Sequence, residues 1–80
     1  MTDVVVSDRA ADWLRDVEGE TSKRIRNKLH DITDFPGHYL SRLTDSPYYR
    51  LRVGDYRVII DWDKDRDELF VRDIRHGAYD

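Results

Sequence analysis

The sequence predicts an α+β fold in which two helices cover one face of a mostly antiparallel, four-stranded sheet, in the order β-α-α-β-β-β. Three observations support this prediction. A β-branched run opens the chain, two segments of helical periodicity follow it, and alternating apolar and polar residues fill the second half. The 80 residues are expected to form a single domain, 1–80, near the lower size at which one core is enough.

The first strand and the first helix are predicted close to the start of the chain. Asp3–Val6 is a β-branched run that favours a strand. Ser7 is a suitable N-cap for a helix from Asp8 to about Glu18, and Gly19 is expected to end that helix. Its apolar stripe has helical spacing and consists of Ala10, Trp13, Leu14 and Val17.

A second helix is predicted directly after the first, so that the two form a helical hairpin. It is expected to begin at Thr21 or Ser22, to reach Thr33 or Asp34, and to stop before Phe35–Gly37. Its buried seam also has helical spacing and consists of Ile25, Leu29 and Ile32. Basic residues occupy much of its remaining surface: Lys23, Arg24, Arg26 and Lys28.

Three strands are predicted in the second half of the chain. Before them, Tyr39–Leu43 is expected to be an extended or turn segment, and Asp45–Pro47 a turn. The strands are Tyr48–Val53, Tyr56–Asp63 and about Glu68–Ile74. Two short connections join them, Gly54–Asp55 and Lys64–Asp67.

The first of the resulting hairpins has two dissimilar faces. Pairing across its two-residue turn gives three apolar cross-strand pairs, Val53–Tyr56, Leu51–Val58 and Tyr49–Ile60. The opposite face carries Arg52 directly across from Arg57, with Arg50 on the same arm as Arg52. Like charges placed opposite each other destabilise a sheet. We therefore expect an anion at this face, either a nucleic-acid phosphate or the carboxylates of a partner protein.

The second hairpin extends both faces but contains a conflict. A four-residue loop produces two further apolar pairs, Trp62–Leu69 and Ile60–Val71. The same register places Arg72 on the arginine face beside Ile59. It also sets Asp73 opposite Val58 on the apolar side, and a β-bulge near Asp73 would remove that conflict.

Composition limits the classes of function. The formal net charge of −3 argues against a general nucleic-acid binder, and the absence of cysteine excludes disulfides and thiolate metal sites. The aspartates of Asp61–Asp67 alternate as in a calcium loop, but Arg66 stands where glycine is needed and Arg72 where the closing glutamate is needed. We expect no metal and no cofactor. Without a signal peptide or a membrane-length apolar run, the expected location is the cytoplasm, with no membrane partner.

The element order and the segment YRLRVGDYRVII at residues 49–60 resemble the RelE/ParE superfamily of toxins from type II toxin–antitoxin systems, and are most similar to its RelE-type branch. RelE-type toxins cut messenger RNA, usually in the ribosomal A site, and a cognate antitoxin neutralises them. ParE-type members poison DNA gyrase instead. The resemblance thus implies a heteromeric complex with an antitoxin, and the ribosome and mRNA as further partners. It also suggests that the basic face of the second helix contacts ribosomal RNA, as an alternative to being only solvated.

The resemblance also assigns site residues. Basic residues before the turn match Arg50 and Arg52, and the arginine after the turn tyrosine matches Arg57. The family has a basic pair and a later tyrosine near the C-terminus; here Gly77 replaces the expected arginine and the spacing to the tyrosine is shorter. The implied catalytic residues are Arg57, Arg75, His76 and Tyr79, and the implied RNA- or phosphate-binding residues are Arg50, Arg52 and Arg72.

This set of residues fits metal-independent RNA cleavage, in which the ribose 2′-OH attacks the adjacent phosphate. Arginine forks match phosphate oxygens, and a histidine such as His76 can exchange a proton near neutral pH. Tyr79 could stack on a base or transfer a proton. Three alternatives remain open at this point: a weak or inactive antitoxin-binding module of the same fold, a ParE-like gyrase inhibitor, and an arginine face that is salt-bridged to Asp61 or to the loop Asp63–Glu68.

Overall fold

The computed structural model describes residues 2–17 and 19–77, and within them the elements follow the predicted order with one addition. The strands are β1 Asp3–Val6, β2 Ser41–Arg42, β3 Tyr49–Val53, β4 Tyr56–Asp63 and β5 Glu68–His76. The helices are α1 Asp8–Asp16 and α2 Gly19–Asp31, and Pro36–His38 forms a short 3-10 turn. The described strands form one sheet in the order β1-β5-β4-β3-β2. β1 is parallel to β5, and the other neighbours are antiparallel.

The fold class is therefore the predicted α+β, with five strands among the described residues where four were expected. The additional strand is β2, which lies in the segment predicted as extended or turn. Ser41 pairs with Arg50 and Arg42 with Tyr49. Two residues are too few to show a periodicity, so the sequence alone does not distinguish this strand from a turn.

The connection between the helices differs from the prediction. α1 ends at Asp16, because Val17 adopts an extended conformation (φ −86°, ψ 165°) while its N–H still donates to the Trp13 carbonyl. Gly19, predicted to end α1, is instead the first residue of α2. A glycine is tolerated there because the first N–H groups of a helix make no intrahelical bond in any case.

The end of α2 also comes earlier than predicted, at Asp31. The next two residues fold back on the last turn: the Ile32 N–H donates to the Lys28 carbonyl, and the Thr33 hydroxyl donates to the His30 carbonyl at 2.8 Å. Both Ile32 and Thr33 are buried, so the predicted seam of the second helix is confirmed in full. In the stripe of α1, Ala10 and Leu14 are buried.

The core lies between the two helices and one face of the sheet. Its strand residues are Leu51, Val53, Val58, Ile60, Leu69, Val71 and Ile74, and its helix residues are Ala10, Leu14, Ile25, Leu29 and Ile32. Trp13 packs at its margin, edge-on to Tyr56 with ring centroids 5.4 Å apart. No helix among the described residues is both long and apolar enough to span a membrane.

The strand register confirms both predicted hairpins and the bulge. The pairs across β3 and β4 are the predicted ones, including Arg52 opposite Arg57. Between β4 and β5 the register shifts after Ile60–Val71, so that Asp73 lies opposite Ile59 and Arg72 is the additional residue. The shift takes Asp73 off the core side and brings Ile74 opposite Val58. Burial of an unpaired carboxylate is thereby avoided.

Ser7 links the start of α1 to this bulge. Its Oγ accepts from the Ala10 N–H at 3.1 Å and donates to the Arg72 carbonyl at 2.8 Å. We expect Ser7→Ala to lower the free energy of unfolding by about 1–2 kcal/mol, since one N-cap and one further hydrogen bond are lost. Urea denaturation measures this, with Ser22→Ala as the control because its hydroxyl accepts an exposed bond from Arg26. Equal stability of the two variants would contradict the role given to Ser7.

Candidate functional site

The face of the sheet that points away from the helices, called the open face below, carries a row of arginines across three strands. Arg52 in β3 lies opposite Arg57 in β4, and Arg57 lies opposite Arg75 in β5. We call these three residues the arginine row. Neighbouring strands are about 4.8 Å apart, so the row crosses roughly 10 Å of sheet. Arg50 lies on the same face of β3, two residues before Arg52.

A depression of about 350 Å³ lies beside this row. Arg50, Arg57 and Arg75 line one part of it, and Ile59 is among its other residues. Ile59 is only 7% exposed, and the Nε atom of Arg57 is shielded from solvent. An anion held here would meet guanidinium groups beside an apolar side chain, where charges are screened less than at an open surface. The β2–β3 segment completes the lining with Arg42, Leu43, Thr44 and Ser46.

Asp73 supplies a carboxylate to this face. Its Oδ2 accepts from the Arg75 Nε at 2.8 Å, and its Oδ1 lies 3.5 Å from the Arg9 Nε and accepts from the Ile74 N–H at 2.9 Å. Asp61 and the loop 63–68 are the alternative partners of the arginines predicted above. The described contacts add Asp73 as the partner of Arg75, because the bulge turns this carboxylate toward the open face.

His76 lies on the other side of the sheet, and its predicted place on the arginine face needs correction. It is opposite Tyr56, with ring centroids 5.1 Å apart, and Tyr56 in turn packs against Trp13 of α1. Successive residues of a strand point to opposite faces, so Arg75 and His76 cannot share one. Tyr79, also predicted for the site, lies outside the described residues.

Arg72 lies on the open face beside Ile59, as the sequence predicted, but next to the arginine row rather than in it. Both residues line a depression of about 320 Å³. The guanidinium carbon of Arg72 is 4.5 Å from the centre of the Tyr48 ring. Such cation–aromatic contacts are favourable and hold the guanidinium in place.

The far end of the open face carries the opposite charge. Asp3, Glu68 and Asp63 pair side by side across β1, β5 and β4. Asp63 follows Arg57 by six residues in β4, so this acidic row lies about 20 Å from the arginine row. A polyanion is therefore attracted to one end of the open face and repelled from the other. The net charge of −3 does not describe this surface, because the charges are separated along it.

Comparison with known proteins identifies the family. The profile described as "ParE toxin of type II toxin-antitoxin system, parDE" matches residues 4–80. The chain belongs to the ParE toxin family. It is thus a RelE/ParE superfamily toxin of a type II toxin–antitoxin system, as the resemblance of residues 49–60 implied. None of the curated proteins matches the sequence.

Solved structures of RelE–RelB complexes share the toxin's fold. A chain of the intact Escherichia coli RelBE toxin–antitoxin complex matches with a TM-score of 0.77 and 19% identity, over 100% of both chains. A chain of the RelBE2 complex of Mycobacterium tuberculosis matches with a TM-score of 0.84 and 15% identity, over 94% of this chain and 96% of that one. A chain of the archaeal RelE–RelB complex of Pyrococcus horikoshii matches with a TM-score of 0.78 and 17% identity, over 99% of this chain and 98% of that one. At these identities the likeness supports the fold alone.

Sequence reasoning missed three residues of the toxin that lie beside the arginine row. Asp73 and Arg9 contact each other beside Arg75, and Ile59 is buried among the arginines. The register conflict at Asp73 was the available signal, since resolving it by a bulge turns Asp73 toward the arginines. Nothing in the sequence pattern pointed to Arg9, which reaches the site from α1.

Proposed function

We propose that this toxin is a ribosome-dependent mRNA endonuclease that uses the arginine row to hold the scissile phosphate. The observation that carries the proposal is the row itself: Arg52, Arg57 and Arg75 at one level of three adjacent strands. Three guanidinium groups on adjacent strands of a rigid sheet point several N–H forks toward one place, which suits an anionic ligand. A phosphodiester, with its two unesterified oxygens, matches guanidinium forks.

In the proposed reaction the ribose 2′-OH attacks the adjacent phosphorus. The 2′-OH loses its proton, a phosphorane with additional negative charge forms, and the bond from phosphorus to the 5′-oxygen breaks. The leaving 5′-oxygen takes up a proton, so the products are a 2′,3′-cyclic phosphate and a 5′-OH. The arginine row stabilises the charge that develops on the phosphorane, which is the main task of a preorganised cationic site. Arg57, half-buried at the centre of the row, has the largest share.

The remaining residues are given supporting roles. Arg50 and Arg72 bind flanking phosphates, and Asp73 orients Arg75 through their 2.8 Å contact. Tyr79 stacks on a base or takes part in proton transfer. His76 receives no role, since it faces Tyr56 on the helix side. The chemistry needs neither a metal nor another cofactor.

We also propose a cognate antitoxin as the partner that neutralises this toxin. Several of the similar solved structures are toxin–antitoxin complexes of RelE with RelB. An antitoxin segment with acidic side chains laid over the arginine row would bind the guanidinium groups and exclude RNA at the same time. The toxin–antitoxin complex, and the ribosomes on which the free toxin acts, would both be cytoplasmic.

Inhibition of DNA gyrase is the second candidate function. Two observations favour it: the profile of the ParE toxin matches nearly the whole chain, and His76 is turned away from the arginine face. In that case the arginine row would bind carboxylates of a protein target instead of RNA.

Induction in cells separates the candidates. We expect growth arrest and discrete cuts in primer-extension profiles of transcripts, both abolished by the triple variant Arg52→Ala/Arg57→Ala/Arg75→Ala. The control, Arg15→Ala/Arg26→Ala/Arg66→Ala, removes the same charge from exposed positions on α1, α2 and the β4–β5 loop and should stay toxic. DNA damage signalling with intact transcripts would favour gyrase. Full toxicity of the arginine-row variant, at equal protein level, would refute the proposal.

A further inference from the structure

We infer that the toxin has a second RNA-contacting surface, on the helix side of the β3 edge, which combines a cationic cleft with an exposed aromatic platform. This inference rests on the proposed function in taking RNA as the ligand. It adds a place where the single-stranded message would be held outside the arginine row. The surface is made by α2, the end of β3 and the turn Pro36–His38.

The cleft has a volume of about 550 Å³ and lies between α2 and the β3–β4 turn. One face of α2 lines it, with residues three or four positions apart along the helix: Glu20, Lys23, Arg24, Asn27, Lys28 and Asp31. Arg52, Val53 and Gly54 form the other wall. Four cationic and two acidic side chains give the lining a local charge of +2 in a chain whose net charge is −3.

Arg24 connects this cleft to the arginine row. A Cβ atom added at Gly54 would lie 2.9 Å from an Arg24 guanidinium nitrogen, so the guanidinium group rests directly against the turn backbone. Gly54 has a φ of +60°, which glycine adopts without strain. Arg52 lines the cleft and also begins the arginine row. A continuous cationic path thus runs from the open face, round the β3 edge, to α2.

An aromatic platform stands at the α2 end of this path. Phe35 and Tyr39 are 66% and 42% exposed, and they are two of the three exposed large hydrophobic residues in the described part of the chain. The ring of His38 lies between them, with centroid distances of 5.7 Å to Phe35 and 6.5 Å to Tyr39. Lys28 of the cleft places its Nζ 4.6 Å from the centre of the Tyr39 ring.

Backbone hydrogen bonds and one packing contact hold the turn that carries the platform. The Tyr39 and Leu40 N–H groups both donate to the Pro36 carbonyl at 3.0 Å. A Cβ at Gly37 would lie 3.8 Å from the Trp62 ring, and Trp62 packs against Tyr49 with centroids 5.3 Å apart. Exposed aromatic rings on a fixed turn lose little conformational entropy when they bind, which favours affinity.

RNA fits this combination of features better than a protein partner. Proteins that hold single strands combine a cationic groove for the backbone with exposed aromatic rings on which bases stack. Here the groove and the rings adjoin, and Lys28 belongs to both. A cleft that shares Arg52 with the arginine row would guide the same strand toward the proposed cleavage site.

The test measures binding of a fluorescent 2′-O-methyl RNA, about 8 nucleotides long, to the purified toxin by anisotropy. The methyl groups prevent cleavage, so the readout is independent of catalysis. We expect Phe35→Leu/Tyr39→Leu to weaken binding about 10- to 100-fold, the range for loss of stacking on one base. Lys23→Gln/Lys28→Gln should lower the slope of log affinity against log salt by about 1.4. Val5→Ala/Arg66→Gln, which removes an exposed apolar side chain and an exposed cation near the acidic row, is the control.

The outcomes distinguish this inference from the proposed function. Weaker binding by the platform variant, with a control that binds normally, supports the second surface even if no mRNA is ever cut. Unchanged RNA binding by the platform variant overturns it, even if the arginine row proves catalytic. Unchanged RNA binding together with lost antitoxin binding would also overturn it, by making the platform a protein contact. Near-ultraviolet circular dichroism verifies that each variant is folded.

Discussion

The substitution Arg57→Ala is expected to slow cleavage of ribosome-bound mRNA about 10²- to 10³-fold, the usual cost of removing one preorganised group from a charged transition state. Arg57 is the centre of the arginine row and is flanked on both sides, by Arg52 and by Arg75. It is half-buried beside Ile59, where a guanidinium acts with little screening. The rate is measured in a single turnover, with toxin and programmed ribosomes in excess over labelled message.

Arg57→Lys and Arg66→Ala are the controls for this result. Lysine keeps the charge but cannot present a planar fork, so Arg57→Lys should recover only part of the rate. Arg66 is exposed in the β4–β5 loop, and its replacement should leave the rate unchanged. Cleavage by Arg57→Ala at the wild-type rate would exclude Arg57 from the catalytic role proposed for it.

The substitution Ile60→Ala is expected to lower the free energy of unfolding by about 2–5 kcal/mol. Ile60 is fully buried in β4 between Tyr49 of β3 and Val71 of β5, so the change leaves a cavity in the centre of the sheet. At roughly 0.05–0.15 kcal/mol per residue, a domain of this size has a total stability of about 4–12 kcal/mol. The substitution would therefore remove a substantial fraction of the total stability.

Urea denaturation followed by tryptophan fluorescence measures the effect of Ile60→Ala. Val5→Ala is a suitable control, since Val5 is a β-branched strand residue that is 40% exposed. Its replacement should change the stability by about 0.5 kcal/mol or less. Similar losses in both variants would contradict the assignment of the core to the helix side of the sheet.

The register of the hairpins followed from the sequence because two local rules agree. A two-residue turn at Gly54–Asp55 fixes the pairing, and a shift by one residue would move every core-side residue of β4 to the open face. Sequence reasoning could therefore place Arg52 opposite Arg57. The ends of the helices could be predicted less well. The change from α1 to α2 depends on the extended backbone of Val17, which no residue type requires.

The C-terminal part of the site depended on one additional residue. Without the bulge at Arg72, the alternation of β5 would put His76 on the open face and Arg75 on the core side. With it, Arg75 joins the arginine row and His76 packs on Tyr56. The conflict at Asp73 predicted the bulge, but the predicted site still placed Arg75 and His76 together. The contact between Arg24 and Gly54 joins residues thirty positions apart, and no local pattern reveals it.

Cleavage of a defined message by the purified toxin on purified ribosomes tests the central claim most directly. One message carries ordinary ribose in the A-site codon, and a second carries a single 2′-deoxy nucleotide on the 5′ side of the cut. The account predicts a 5′-OH and a 2′,3′-cyclic phosphate from the first message, no cut in the second, and no cut of either by the arginine-row variant. An intact first message, or an equal cut in the deoxy message, would contradict it.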